Sequence, residues 1–186
     1  FKFVLFLNIL FSFSANALLE VNILKSKEAA FPIVIAPFEV IGSSKESIDI
    51  AKIIRDNLNR SGQFSALSTD ALVTNQIDFN FWKEHKKDAV VFGKVEQVSS
   101  KVFNIYIYIY DVFSEKSLYQ KKITVSNTGF RRMAHFLSDK IYYVLLGQKG
   151  SFNTRLSYVT VTENKSGGRT YRLQISDSDG ENPQTI

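Results

Sequence analysis

The hydrophobic positions change period several times along the chain, and each change predicts an element. Residues 31–38 (FPIVIAPF) run Ile33, Val34 and Ile35 together between Pro32 and Pro37, which predicts a strand buried on both faces. Gly42, Ser43 and Ser44 break the chain. Residues 47–59 then place Ile50, Ala51, Ile54 and Leu58 on one side of a helical period with charges opposite, Ser44 suiting the N-cap and Gly62 the stop. A short strand is expected at 64–67 and a brief helix with the only tryptophan, Trp82, at 79–85.

Residues 89–98 read as a strand, and 101–112 carry the clearest alternation in the chain. Phe103, Ile105, Ile107 and Ile109 point to one face, expected to meet the core. Asn104, Tyr106, Tyr108 and Tyr110 point to the other, a tyrosine ladder that tolerates water and serves either as a recognition surface or as a covered sheet face. Ser99-Ser100 turns between the two strands, and 117–126 alternates again. Residues 132–146 form a long helix with Met133, Leu137, Ile141, Val144 and Leu145 on its apolar side, ended by Gly147. The order implies an α/β fold, with helices packed on one face of a mixed sheet. After Gly150 the texture changes: 156–162 and 169–176 alternate as strands, and a second turn at 177–183 leads into a third. Two strands and the start of another cannot bury a face alone, so a propeller blade or sandwich continuing past Ile186 is expected.

The N-terminus reads as an address. Lys2, a nearly unbroken apolar run from Phe3 to Phe13, and Ala15-Asn16-Ala17 form a secretory signal peptide, with cleavage after Ala17 leaving Leu18 as the first mature residue. The run is about half the length of a membrane span, so no integral anchor is expected. Glu20–Lys27 is a short apolar segment ending in charge, an edge strand or a mobile arm.

Composition narrows the chemistry. Apolar residues are 45% and charged residues 22% of 186, a globular balance. There is no cysteine, which removes disulfides, thiolate metal sites and cysteine nucleophiles together. His85 and His135 are the only histidines, so no metal site, cofactor or catalytic residue is expected. The net charge of +5 is spread without a dense block, which argues against nucleic acid as a partner. Asp177-Ser178-Asp179-Gly180 lacks the spacing of a calcium loop and is expected to be a tight turn. Gly147–Ser151 lacks the spacing of a phosphate loop and is expected to be a helix cap and linker. His135 lies one position off the apolar stripe and is expected to be a partly buried packing residue. Asp139, four residues on, would form at most a pair on the helix surface.

Residues 132–142 (RMAHFLSDKIY), 146–159 (LGQKGSFNTRLSYV) and 171–184 (YRLQISDSDGENPQ) together resemble the TolB family. That family carries an R-x-A-H-x-x-S-D-x-I-Y helix, a G-x-x-G-x-F-x-T-R-I-A-Y-V entry into its first propeller blade and an L-x-x-x-D-x-D-G-x-N-x-Q hairpin. The matching positions are Arg132, His135, Asp139, Gly147, Gly150, Phe152, Arg155, Asp177, Asp179 and Gly180; Leu156 and Ser157 depart from the usual Ile and Ala. Residues 33–38 resemble the family's I-x-V-x-P-F strand.

The resemblance implies a signal peptide at 1–17 and a mobile partner-binding segment at 18–28. It implies an α/β unit at 29–150, two helices on a mixed sheet, and the start of a truncated six-bladed β-propeller at 151–186. It further implies a periplasmic, non-enzymatic adaptor of the Tol–Pal complex, a monomer within that complex. Such an adaptor binds the TolA C-terminal domain through the mature N-terminus and Pal through the propeller, and supports outer-membrane integrity and constriction at division. The residues placed for TolA are Glu20, Val21, Asn22, Ile23, Leu24 and Lys25, a short extended segment able to add to a sheet edge. The alternative is a periplasmic propeller-containing hydrolase whose catalytic part lies outside this chain; no G-x-S-x-G elbow is present in the sequence.

Overall fold

The computed structural model describes residues 30–42, 49–70, 73 and 76–186. The expected signal peptide, the segment Glu20 to Lys25 and the expected cap Ser44 lie outside the described residues.

Five consecutive strands of one mixed sheet stand in the order β3-β1-β4-β5-β6. They are β1 (Phe31–Ile35), β3 (Phe64–Leu67), β4 (Ala89–Ser99), β5 (Val102–Asp111) and β6 (Ser117–Ser126), and a short β2 (Glu39–Ile41) lies beside β4 past the end of β1. β1 is parallel to both β3 and β4, with Ile33 opposite Ala66 on one side and Ala89 on the other. It is therefore central, and its unbroken apolar run follows from burial on both faces. β4, β5 and β6 are antiparallel, with Gly93 opposite Ile107 and Ile105 opposite Ile123.

The two faces hold different cores. On the first, Ile33, Ile35, Val91, Phe103, Ile105, Ile107 and Ile109 meet α1 (Ile50–Arg60) and α3 (Phe130–Leu146) through Ile54, Leu58, Leu137 and Ile141. The second face corrects the expectation that all helices share one side. The short α2 (Phe79–Glu84) sets Trp82 against Val34, Ala36, Val90, Phe92 and Val112. It covers one end of the tyrosine ladder, where Tyr110 meets Phe79 at 6.0 Å, while Tyr108 stacks on its cross-strand neighbour Phe92 at 5.0 Å. Tyr106, past the helix, donates instead to Glu96 Oε2 at 2.9 Å, beneath Lys94 Nζ at 4.5 Å from the ring centre. This hydrogen bond is the main cause that holds the Glu96 carboxyl below its ordinary range.

The helix starts differ from expectation for local reasons. α1 begins at Ile50, where Asp49 accepts from the Lys52 amide at 2.9 Å. α3 begins at Phe130, straight out of a 3-10 turn (Asn127–Gly129), with no side-chain cap to announce it. The two residues thereby added matter. Phe130 is buried and packs edge-on to Phe103 at 4.9 Å. The buried stripe is Phe130, Ala134, Leu137, Ser138 and Ile141, with His135 beside it, rather than one centred on Met133, Val144 and Leu145, which are only partly buried. Gly147 ends the helix as expected, at φ +70°, left-handed backbone that a Cβ disfavours.

A second, three-stranded antiparallel sheet follows: β7 (Arg155–Glu163), β8 (Arg169–Asp177) and β9 (Gln184–Thr185). Its apolar side chains Tyr158, Val159, Val161, Tyr171 and Leu173 stand exposed, as expected of strands too few to bury a face. No helix among the described residues is long and apolar enough to cross a membrane.

Leu137 is fully buried between α3 and the sheet, whereas Leu118 on β6 is 43% exposed. Leu137→Ala is expected to cost about 3 kcal/mol, by lost transfer energy plus the cavity left behind, and Leu118→Ala about 0.5 kcal/mol. Urea unfolding of the two variants checks the contrast; equal losses would remove Leu137 from the core.

Candidate functional site

Polar chemistry collects where α1, α3 and the hairpin turn of the second sheet meet. The chain of contacts starts on α1. Arg60 Nη2 donates to Asn57 Oδ1 at 2.7 Å, which leaves the Asn57 amide nitrogen facing α3. That nitrogen donates to Ser138 Oγ and to His135 Nδ1, each at 2.9 Å. Asn57, His135 and Ser138 are all buried, at 1%, 2% and 0% exposure.

An amide nitrogen only donates, so His135 Nδ1 must accept, and the proton of the neutral ring sits on Nε2. Nε2 points at Asp179 Oδ2, 3.5 Å away in the turn between β8 and β9. Arg131, one helical turn before His135, reaches the same turn: Nη2 bonds Asp179 Oδ2, and Nε lies 3.3 Å from Asp177 Oδ2. The turn is built to hold those carboxylates. The Asp177 amide donates to Glu181 O and the Gly180 amide to Asp177 O, each at 2.9 Å, and Asn182 Nδ2 donates to Asp177 Oδ2 at 2.8 Å. Gly180 takes φ +87° at its tip.

Asp139 corrects the expectation of a helix-surface pair. Its two carboxylate oxygens accept from the Phe152 and Asn153 amides at 2.8 and 3.1 Å, tying the linker back onto α3. Gly150 passes so close that a Cβ there would stand 2.4 Å from Asp139 Oδ1. Phe152 is buried edge-on to Tyr142 at 5.7 Å, and its carbonyl accepts from Ser178 Oγ. The structure thus brings His135, Asp139, Phe152, Asp177 and Asp179 into one seam, with Gly150 and Gly180 shaping its loops. Arg132 and Arg155 line a cleft beside it, and Gly147 stands apart as the helix cap. Arg131, Asn57 and Arg60 are members that the sequence pattern did not mark. A start for α3 at 132 excluded the first, and a buried Asn facing a distant His leaves no periodic trace.

The arrangement favours holding over turnover. Ser138, His135 and Asp179 are the residue types of a hydrolytic triad, but Ser138 is fully buried, donates to Ala134 O at 2.8 Å and bonds Asn57 instead of the imidazole. His135, Asp177 and Asp179 also bring ligand atoms within 4.8 Å of one another, as a metal site would. The Arg131 guanidinium already lies on both carboxylates, so a cation would have to displace it.

Burial is the first cause that pushes the His135 pKa below its ordinary value. Arg131 and Arg60 act in the same direction, while Asp179 and Asp177 oppose. The folded chain therefore resists a proton that the unfolded chain accepts at about pH 6.5. The contribution of His135 to stability is complete above that pH and is lost as pH falls from there through the folded pKa. In an NMR titration the His135 ring should titrate below pH 6.5. Asp179→Asn, which removes the opposing charge, should move that midpoint lower still; a midpoint raised by the substitution would place His135 away from Asp179.

A family model described as the TolB amino-terminal domain matches residues 19–118. The Tol-Pal system protein TolB of Ruthia magnifica subsp. Calyptogena magnifica is 55% identical over 95% of this chain and 42% of its own length. That of Vesicomyosocius okutanii subsp. Calyptogena okutanii is 48% identical over the whole of this chain and 44% of its own length. The crystal structure of TolB from Acinetobacter baumannii superposes with a TM-score of 0.69 at 30% identity, over 83% of this chain and 38% of that one. The chain thus spans less than half the length of these relatives.

Proposed function

The chain belongs to the TolB family, and on that premise we propose that it works as a non-enzymatic adaptor of the Tol–Pal system in the periplasm. The family match, with close relatives that carry the Tol-Pal name, is the observation that carries the reading. The seam supports it: His135 Nδ1 takes a hydrogen bond from Asn57, Nε2 faces Asp179, and the Ser138 hydroxyl bonded to the same Asn57 amide is sealed from solvent. A site whose acid, base and hydroxyl are all engaged in packing suits a protein that transmits contacts.

In this reading the first 17 residues are a signal peptide removed after Ala17, and the segment 18–28 follows as a partner-binding arm. Glu20, Val21, Asn22, Ile23, Leu24 and Lys25 offer an extended strand to a sheet edge of the TolA C-terminal domain. Backbone hydrogen bonds supply the affinity, and alternate side chains supply the specificity. The strands from β7 onward open a propeller whose remaining blades carry the contact with Pal. Joining the two partners links the inner part of the envelope to the outer membrane, supporting its integrity and its constriction at division.

Deletion of residues 18–25 is expected to abolish binding to the TolA C-terminal domain in calorimetry while leaving the melting temperature unchanged. Undiminished binding after the deletion would move the contact elsewhere and refute the arm.

A further inference from the structure

We propose that the cleft beside the His135 seam is a binding site for a single peptide carboxylate, the side chain of an Asp or Glu. The cleft measures about 460 Å³ and is lined by Arg131, Arg132, His135, Arg155 and Asp177 among other polar residues, with no aliphatic or aromatic hydrocarbon side chain among the described residues of its wall. This inference is independent of the adaptor reading; it rests on the charge and hydrogen-bond balance of the cleft.

Arg131 is committed to Asp177 and Asp179. Arg132 and Arg155 are not: among the described residues neither side chain has an ion pair or a hydrogen bond, yet both face the same space. They come from different elements, Arg132 from the first turn of α3 and Arg155 from the start of β7, so the cleft fixes their convergence. The wall is also short of acceptors. Arg131 Nε and His135 Nε2 are buried with no aligned acceptor among the described residues, and the tautomer imposed by Asn57 makes Nε2 a donor.

The charge balance selects the ligand. Three guanidinium groups stand against the carboxylates of Asp177 and Asp179, leaving one positive charge while His135 is neutral. A monoanion neutralises it. A phosphate dianion would overshoot, with its second charge facing Asp177 on the same wall. Two free guanidinium forks match the two oxygens of a carboxylate, the planar geometry in which arginine binds most strongly. The donor can be a later part of a longer chain of this family or a separate protein, since the chain spans less than half the length of its relatives.

The test follows the His135 ring by long-range ¹H–¹⁵N NMR at pH 7.5, at constant ionic strength. N-acetyl-glutamate amide should shift the His135 signals saturably, its glutamine counterpart and sodium chloride should not, and sodium phosphate should bind more weakly. Arg132→Gln and Arg155→Gln, both at exposed positions and so expected to fold, should each weaken the glutamate effect about tenfold. In the chain extended to the length of its relatives, signals already at the saturated position and unmoved by the probe assign the carboxylate to the protein itself. Signals at the free position that respond to the probe assign it to a partner. No saturable shift with the glutamate probe in either chain, with His135 at the free position throughout, overturns the proposal. So does a shift that survives both substitutions or is matched by the glutamine probe.

Discussion

One donor–acceptor direction governs the seam: Arg60 donates to Asn57, and Asn57 can then only donate to His135. The order cannot be reversed. Turning the Asn57 amide would set its NH₂ against a guanidinium that cannot accept, and would leave a buried nitrogen unpaired at a cost of about 1–3 kcal/mol. A residue on α1 thereby sets which nitrogen of a histidine on α3 carries the proton, and that nitrogen faces a carboxylate of the third unit, the β8–β9 turn. Three segments far apart in sequence are registered by the chemistry of one buried amide.

The two sheets are held by different physics. The six-stranded sheet buries one apolar face under α1 and α3 and part of the other under α2, so apolar side chains make up its core. The three-stranded sheet has no such cover among the described residues, and its outward side chains stay wet. It is fastened instead at its base. Arg131 grips the Asp177–Asn182 turn with His135 Nε2 facing it, Asp139 grips the linker, and Ser178 and Phe152 close the gap between them. Contacts of this kind are directional, so they fix orientation more than they add stability, because the desolvation of each charge offsets much of its attraction.

How much was legible in the sequence divides along the same line. Period-two and period-3.6 patterns depend on burial alone, so β1, β4, β5, β6 and the body of α3 could be read, as could Gly147 at its end. The side taken by α2 could not, because six residues with one Trp carry no periodicity to orient them. The start of α3 was lost because Gly129 offers no capping side chain, and with it went Arg131, the residue that grips the turn. The sequence marks His135 as a packing residue, and it packs, but its partners lie 78 positions before it and 44 after it. No local spacing encodes such a meeting; only the motif resemblance pointed to the right residues, without saying what they touch.

The long helix explains how both kinds of contact coexist. Phe130, Ala134, Leu137 and Ile141 follow one line along α3 and sink into the six-stranded sheet. Arg131, His135 and Asp139 follow a second line, turned by one residue, and meet the turn and the linker in order. Spacings of three and four keep each line on its own face. Any rotation of α3 that repacked its apolar line would swing the polar line through the same angle and misalign all three of its contacts together. The helix therefore couples the packing of one sheet to the orientation of the other. The polar line sharpens that coupling, because hydrogen bonds weaken steeply as their angles change, whereas apolar contact is non-directional.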